Sequence, residues 1–181
     1  MKYSQIIKLE DGRECLLRNA AETDGQALLD LFRLSHGETD FLRSYPDEKV
    51  YDAVRESAVL KEKSESENEI EMLAEVDGRI VGSAGISAVG SKYKVRHRAE
   101  FGISVVKDFW GLGIGRTLTA ACIECARKAG YVQLELNVVA ENERAAEMYK
   151  KFGFVEFGRN PKAFNSRVSG FQEVIYMRLE L

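Results

Sequence analysis

With 181 residues, 45% of them hydrophobic and 30% charged, the chain is long enough for one domain with a sizeable core and too short for two ordinary ones. A net charge of −3 gives no electrostatic case for nucleic acid or an anionic membrane, and two histidines leave little with which to build a metal site. No apolar run is long enough for a membrane span or a signal peptide, and Cys15, Cys122 and Cys125 are odd in number and make no disulfide framework, so the expectation is a cytoplasmic domain, with Cys122 and Cys125 as packing residues on a helix face.

Residues 1–12 read as a loose lead-in or short strand, and Glu14 to Arg18, around Cys15-Leu16-Leu17, as the first clear strand. Thr23-Asp24-Gly25-Gln26 has the form of a capping box, and Leu28, Leu31, Phe32 and Ser35 share one face of the helix behind it. His36-Gly37 stops that helix, with His36 read as a surface histidine. A second helix opens at Pro46-Asp47-Glu48 and presents Val50, Val54, Ser57, Ala58 and Lys61 at helical spacing. The charged run 62–69 is its solvated end.

The period then changes. Ile70 to Val76, the turn Asp77-Gly78 and Arg79 to Val89 form a hairpin, since Asp-Gly supplies the positive φ values that a two-residue turn needs. A third strand, about Arg98 to Val106, alternates Phe101, Ile103 and Val105 with Glu100, Gly102 and Ser104. A helix follows, with Ile114, Leu118, Cys122, Cys125 and Ala129 on one face and a C-terminal stop at Gly130. Tyr131 to Val139 is the next strand, Asn142 caps a short helix ended by Gly153, and 154–158 and 171–179 are the last two strands. This order predicts an α/β (α+β) fold, a mostly antiparallel sheet of six or seven strands flanked by about four helices, in one domain over 1–181.

The chemistry gathers at Trp110-Gly111-Leu112-Gly113-Ile114-Gly115-Arg116, between a strand and a helix. Alternating glycines let the backbone turn and let a ligand approach closely, and a helix start offers uncommitted N–H groups at the positive end of its dipole. That is an anion site suited to phosphate or pyrophosphate. The dinucleotide fingerprint fails because Arg116 follows the third glycine directly, and the Walker loop fails because Gly115-Arg116-Thr117 lacks its lysine.

What remains resembles the pyrophosphate loop of the GNAT acetyltransferase superfamily, with Trp110 in place of the usual Gln or Arg. A second segment, Asn142-Glu143-Arg144-Ala145-Ala146-Glu147-Met148-Tyr149-Lys150-Lys151-Phe152-Gly153-Phe154, is similar to the family's N-x-x-A-x-x-x-Y-x-x-x-G-F stretch. Ala99 to Ile103 resembles the strand that enters the loop, and the likeness covers nearly the whole chain. It implies the GNAT fold and an N-acetyltransferase that moves an acetyl group from acetyl-CoA to a primary amine by direct attack in a ternary complex. The acceptor would be a small-molecule amine or a peptide N-terminus, and a homodimer stays open. The alternative is a non-catalytic acyl-CoA-binding sensor or interaction module.

The resemblance assigns cofactor contacts to Ser104, Val105, Val106, Trp110, Gly111, Leu112, Gly113, Ile114, Gly115, Arg116 and Asn142, with Asn142 equally suited to a pure cap and Arg116 to solvent. A protonated amine needs a base, and Glu100 on the polar face of its strand is the candidate, against a carboxylate paired with Arg98. Tyr149 is the candidate general acid for the thiolate, against a packed aromatic.

Overall fold

A computed structural model of the chain describes residues 1–48 and 52–181, so Val50 of the second predicted helix face lies outside the described residues. In chain order the elements are β1 (Ser4–Lys8), β2 (Glu14–Asn19), α1 (Gly25–Gly37), α2 (Ala53–Glu65), β3 (Ile70–Val76), β4 (Arg79–Ala88), β5 (Arg98–Val105), α3 (Ile114–Lys128), β6 (Gln133–Val139), α4 (Glu143–Lys151), β7 (Val155–Ser166) and β8 (Gly170–Glu180). All eight strands join one sheet in the order β1-β2-β3-β4-β5-β6-β8-β7, and only β5–β6 is parallel. No helix among the described residues is long and apolar enough to cross a membrane.

The fold class agrees with the sequence reading, with one strand more than the upper expectation. The lead-in does pair, Ser4 to Lys8 running antiparallel to Glu14 to Arg18. The Asp77-Gly78 hairpin forms as expected, with φ of 51° and 76° at its two turn residues. Inside, Leu17, Met72, Leu73, Val81 and Ile86 of the sheet share one core with Ile114, Leu118 and Cys122 of α3, all fully buried. Burial pushes the Cys122 thiol well above its ordinary range, which fits a packing residue.

Three local expectations are corrected. The box at Thr23 and Gln26 does not form; Asp24 instead accepts from the Ala21 amide at 2.8 Å and pairs with Arg18, while Gln26 reaches Asp30. On α2 the buried residues are Glu56 and Leu60, whereas Val54, Ala58 and Lys61 face outward. The helix packs over a polar pocket, so tertiary contacts override the apolar periodicity. Strand β7 runs on to Ser166 past Pro161, which sits within a register shift on the sheet's edge, where a missing N–H costs no ladder bond.

Candidate active site

The site exists because β5 and β6 part company. They pair only at Arg98↔Gln133, Ala99↔Leu134 and Glu100↔Glu135. Beyond that point β5 stays bonded to β4 and β6 to β8, and a cleft of about 700 Å³ opens between them. Antiparallel bonding alternates along a strand. Val106 N–H donates to Val81 at 3.0 Å and Val89 N–H to Arg98 at 3.1 Å, so the even-numbered residues of β5 bond β4. Phe101, Ile103 and Val105 therefore turn their main-chain groups toward the opening.

This parity sorts the predicted contacts on β5. Val105 faces the opening, but its carbonyl already accepts from Trp110 Nε1–H at 2.7 Å. Ser104 spends its main chain on Ser83 and offers only its hydroxyl to the cleft. Val106 is buried, with its amide on Val81 and its carbonyl accepting from Phe109 N–H at 3.0 Å. Ile103, which the sequence reading passed over, holds the position facing the gap.

Past the strand, a short 3-10 turn over Lys107–Phe109 leads into the glycine loop. Gly111 and Gly113 have φ of 88° and 92°, values that side chains rarely adopt, and Gly113 is the N-cap of α3. The first helical bond runs from Thr117 N–H to Gly113 at 3.0 Å. Among the described residues the amides from Gly111 to Arg116 find no acceptor in the chain. Six amides without an acceptor, running into a helix N-terminus, fit a pyrophosphate-bearing group. Two cations sit beside them. Arg116 Nη2 lies 3.9 Å from where a Cβ on Gly113 would be, and Arg144 Nη2 lies 3.7 Å from the same point on Gly111. Arg144 carried no role in the sequence reading, because only the fold brings the start of α4 against this loop.

The cleft brings Glu100, Ser104, Asn142 and Tyr149 together; the loop from Trp110 to Arg116 lies beyond its β5 end and does not line it. Glu100 is exposed to the cleft and makes no hydrogen bond or ion pair among the described residues. The partner expected for it is taken. Arg98 bonds Glu135 through both carboxylate oxygens, Nη2 to Oε2 at 2.8 Å, and this holds the Glu135 carboxyl below its usual range. Of two carboxylates opposite each other in the register, Glu135 is thus a poor proton acceptor, and Glu100 carries no such ion pair. Glu135 escaped the sequence reading, although its place opposite Glu100 follows once the parallel pairing is known.

Tyr149 is a packed aromatic that also reaches the cleft. Its ring is 6% exposed, packed edge-on against Phe101 at 6.2 Å and Phe154 at 5.8 Å. It also lines the cleft, and its hydroxyl has no partner among the described residues. Burial pushes the phenol well above its ordinary range, so it keeps its proton at any pH of interest. Asn142 caps α4, its Oδ1 accepting from Ala145 N–H at 3.3 Å, and turns the rest of its side chain to the cleft.

Against known proteins, the model of the acetyltransferase (GNAT) family matches residues 26–154. The chain is 31% identical to the L-amino acid N-acetyltransferase AaaT of Escherichia coli over 108 residues, which are 59% of this chain and 65% of that one. It spans less than two thirds of the length of the curated relatives it matches. A GNAT-family acetyltransferase structure from Streptococcus pneumoniae superposes with a TM-score of 0.88 at 28% identity, covering 92% of this chain and 99% of that one. The yncA structure from Salmonella typhimurium, solved with its cofactor acetyl-CoA, shares the fold with a TM-score of 0.79 at 19% identity over 92% and 94% of the two chains.

Proposed function

The chain belongs to the acetyltransferase (GNAT) family, and on that premise we propose that it is an N-acetyltransferase that transfers the acetyl group of acetyl-CoA to a primary amine by direct attack in a ternary complex. The observation that carries this is the parted pair β5–β6: it sets an uncommitted carboxylate and a protonated phenol on the walls of one cleft, on a strand that runs into a ring of unspent amides.

Acetyl-CoA supplies an activated thioester. The amides of 111–116, with Arg116 and Arg144 beside them, hold its pyrophosphate, and the gap-facing groups of Ile103 and Val105 hold its arm in the manner of a β-strand partner. Glu100 takes the proton of the incoming ammonium, directly or through water, because an amine of pKa near 10 carries no free lone pair at neutral pH. As the N–C bond forms and the C–S bond breaks, Tyr149 gives its proton to the departing sulfur, and the surplus proton on the acylated nitrogen passes through water to restore the phenol, while Glu100 sheds the first proton to solvent. Buried Cys122 and Cys125 offer no nucleophile to the cleft, which favours direct attack over an acyl-enzyme.

The amino-acid acetyltransferase among the relatives supports an acceptor that is a small amine, an amino acid or a peptide N-terminus. The test is thiol release from acetyl-CoA by the purified chain against a panel of such amines. Amine-dependent release confirms the activity; tight coenzyme A binding without release with any amine would instead identify a binding module.

A further inference from the structure

Strand β5 carries the chain from one end of the sheet to the glycine loop at the other, and the end where it starts is built of three connecting segments. These are 66–69 before β3, 89–97 between β4 and β5, and 129–132 between α3 and β6. Hydrogen bonds tie them into one surface. Glu69 Oε1 accepts from Ala88 N–H at 2.8 Å, Asn68 Nδ2 donates to the Tyr131 hydroxyl at 3.0 Å, and Val132 N–H donates to the His97 carbonyl at 2.9 Å. The turns are also held from within. The Val95 and Arg96 amides both reach the Lys92 carbonyl at 2.9 Å, and those of Asn68 and Glu69 reach Ser66 Oγ at 3.3 and 3.0 Å. What this end displays, it displays on ordered backbone.

The display has two signs. The stretch 87–99 holds Lys92, Lys94, Arg96 and Arg98 and no acid, in a chain of net charge −3. Arg98 is spent on Glu135, and Arg96 lies over the Tyr93 ring at 4.5 Å. Lys92, Lys94 and Arg96 are exposed and find no carboxylate among the described residues. On the neighbouring segment Glu65 and Glu67 are exposed as well and find no cation among the described residues, the amino-terminal ammonium donating to the Ser66 carbonyl at 2.5 Å instead. Between the charges stand Tyr93, 79% exposed, and Val132, 57% exposed. Opposite charges thus lie side by side, and the chain does not pair them. Such a surface complements itself, because a two-fold rotation brings its acidic part onto the basic part of a copy. An acidic polypeptide or a nucleic acid would meet Glu65 and Glu67 as like charges.

We propose that this end of the sheet is the face on which a second copy of the chain docks, in an isologous pair that sets Lys92, Lys94 and Arg96 of each copy against Glu65 and Glu67 of the other, with Tyr93 and Val132 burying apolar surface between them. A single exposed ion pair contributes little, so the pair depends on the two-fold, which makes every contact twice, and on the apolar side chains among the charges. The glycine loop lies at the far end of β5 and stays open in both copies. The inference stands apart from the acetyl-transfer reading.

Sedimentation equilibrium of the purified chain tests it, at about 0.1 M and about 1 M salt, where exposed charges are screened beyond ~10 Å and ~3 Å respectively. The expected result is a dimer with a dissociation constant of roughly 1–100 µM at the lower salt, weakened at least tenfold at the higher. Lys92→Glu with Lys94→Glu, and separately Glu65→Lys with Glu67→Lys, should each give a monomer, because each makes the face carry one sign. All four positions are exposed, so the Tm of both variants should match the parent's. Mixed in equal amounts, the two variants should pair with each other and recover an affinity within about threefold of the parent's, since the mixed pair restores every opposite-charge contact. A parent that stays monomeric up to about 1 mM, a dimer indifferent to both charge reversals, or a mixture that stays monomeric would overturn the proposal. A monomeric parent that binds octaglutamate would overturn it too and give the basic loop to an acidic polypeptide. None of these readings needs thiol release, so a failure of acetyl transfer leaves them as they are.

Discussion

The glycine loop and the loop 38–48 that walls the cleft are held by opposite means. In the glycine loop the donors are main-chain amides of six consecutive residues, left unspent by two left-handed glycines and a helix start. In the loop 38–48 the side chains are spent on partners far away in the chain. Asp40, in the loop after α1, accepts from Ser166 Oγ at 2.6 Å, Ser169 Oγ at 3.0 Å and Gln172 Nε2 at 3.2 Å. Tyr45 bonds Asp40 and accepts from the Arg167 amide, Arg167 pairs with Asp47, and Glu38 takes the Lys107 amide at 2.6 Å. The loop 38–48, which brings Phe41, Leu42 and Arg43 to the cleft, is thereby strapped to the β7–β8 turn and to the segment before the glycine loop. A main-chain site tolerates most side-chain changes and fails at glycine; a side-chain site fails at its hub.

The sharpest test of this contrast sits between the two loops. Tyr149→Phe removes one hydroxyl and leaves the ring packed on Phe101 and Phe154, so stability should hold while kcat drops about a hundredfold, the low end for a positioned proton donor because a thiolate leaves fairly well unaided. Affinity for acetyl-CoA should stay within about threefold, and because burial raises the phenol, the parent's kcat should show no loss from Tyr149 ionisation across neutral and mildly alkaline pH. Full kcat in the variant would reduce Tyr149 to a packed aromatic.

Glu100→Gln comes next, with kcat/KM down roughly tenfold or more near pH 6, where the amine is most protonated, and less at pH 9. A pH profile identical to the parent's would pass the proton to water. Gly113→Asp places a strained carboxylate among the amides and should weaken coenzyme A at least tenfold, about 1.4 kcal/mol or more, by calorimetry. Unchanged affinity in the folded variant would dismiss the loop as the phosphate site.

Asp40→Ala should act on the other loop alone, raising KM for the acceptor several-fold with coenzyme A affinity intact. The Ser166 hydroxyl, then Ser169 and Tyr45, hold the Asp40 carboxyl below its ordinary range. Its contribution is therefore present above the unfolded pKa of about 4 and is lost as the pH falls through the lower folded value. The acid limb of a stability curve should accordingly be shallower in Asp40→Ala. The smallest expected change is optical. Trp110 is the single tryptophan, and its indole holds the Val105 carbonyl. A ligand bonding beside the indole changes the ring's surroundings, so emission should shift on adding coenzyme A, and a silent titration at saturation would place the ligand away from Val105.

The sequence by itself determined the parts whose causes are local. The Asp77-Gly78 turn, the Gly113 cap of α3, the Asn142 cap of α4 and the strand-loop-helix around Gly111 each rest on dihedral preferences and N–H groups within a few residues. The tertiary structure alone decided what depends on which side chains meet. It gave Arg98 to Glu135 and so left Glu100 uncommitted, turned Val106 into the sheet and Ile103 to the gap, and put the Trp110 indole on Val105. It also drew Glu56 inward on α2 in place of Val54, and joined Asp40 to Ser166 across 126 positions of sequence. Hydrogen bonds and ion pairs over such separations leave no period in the chain, because their cost in order is met only once the sheet has brought the ends together.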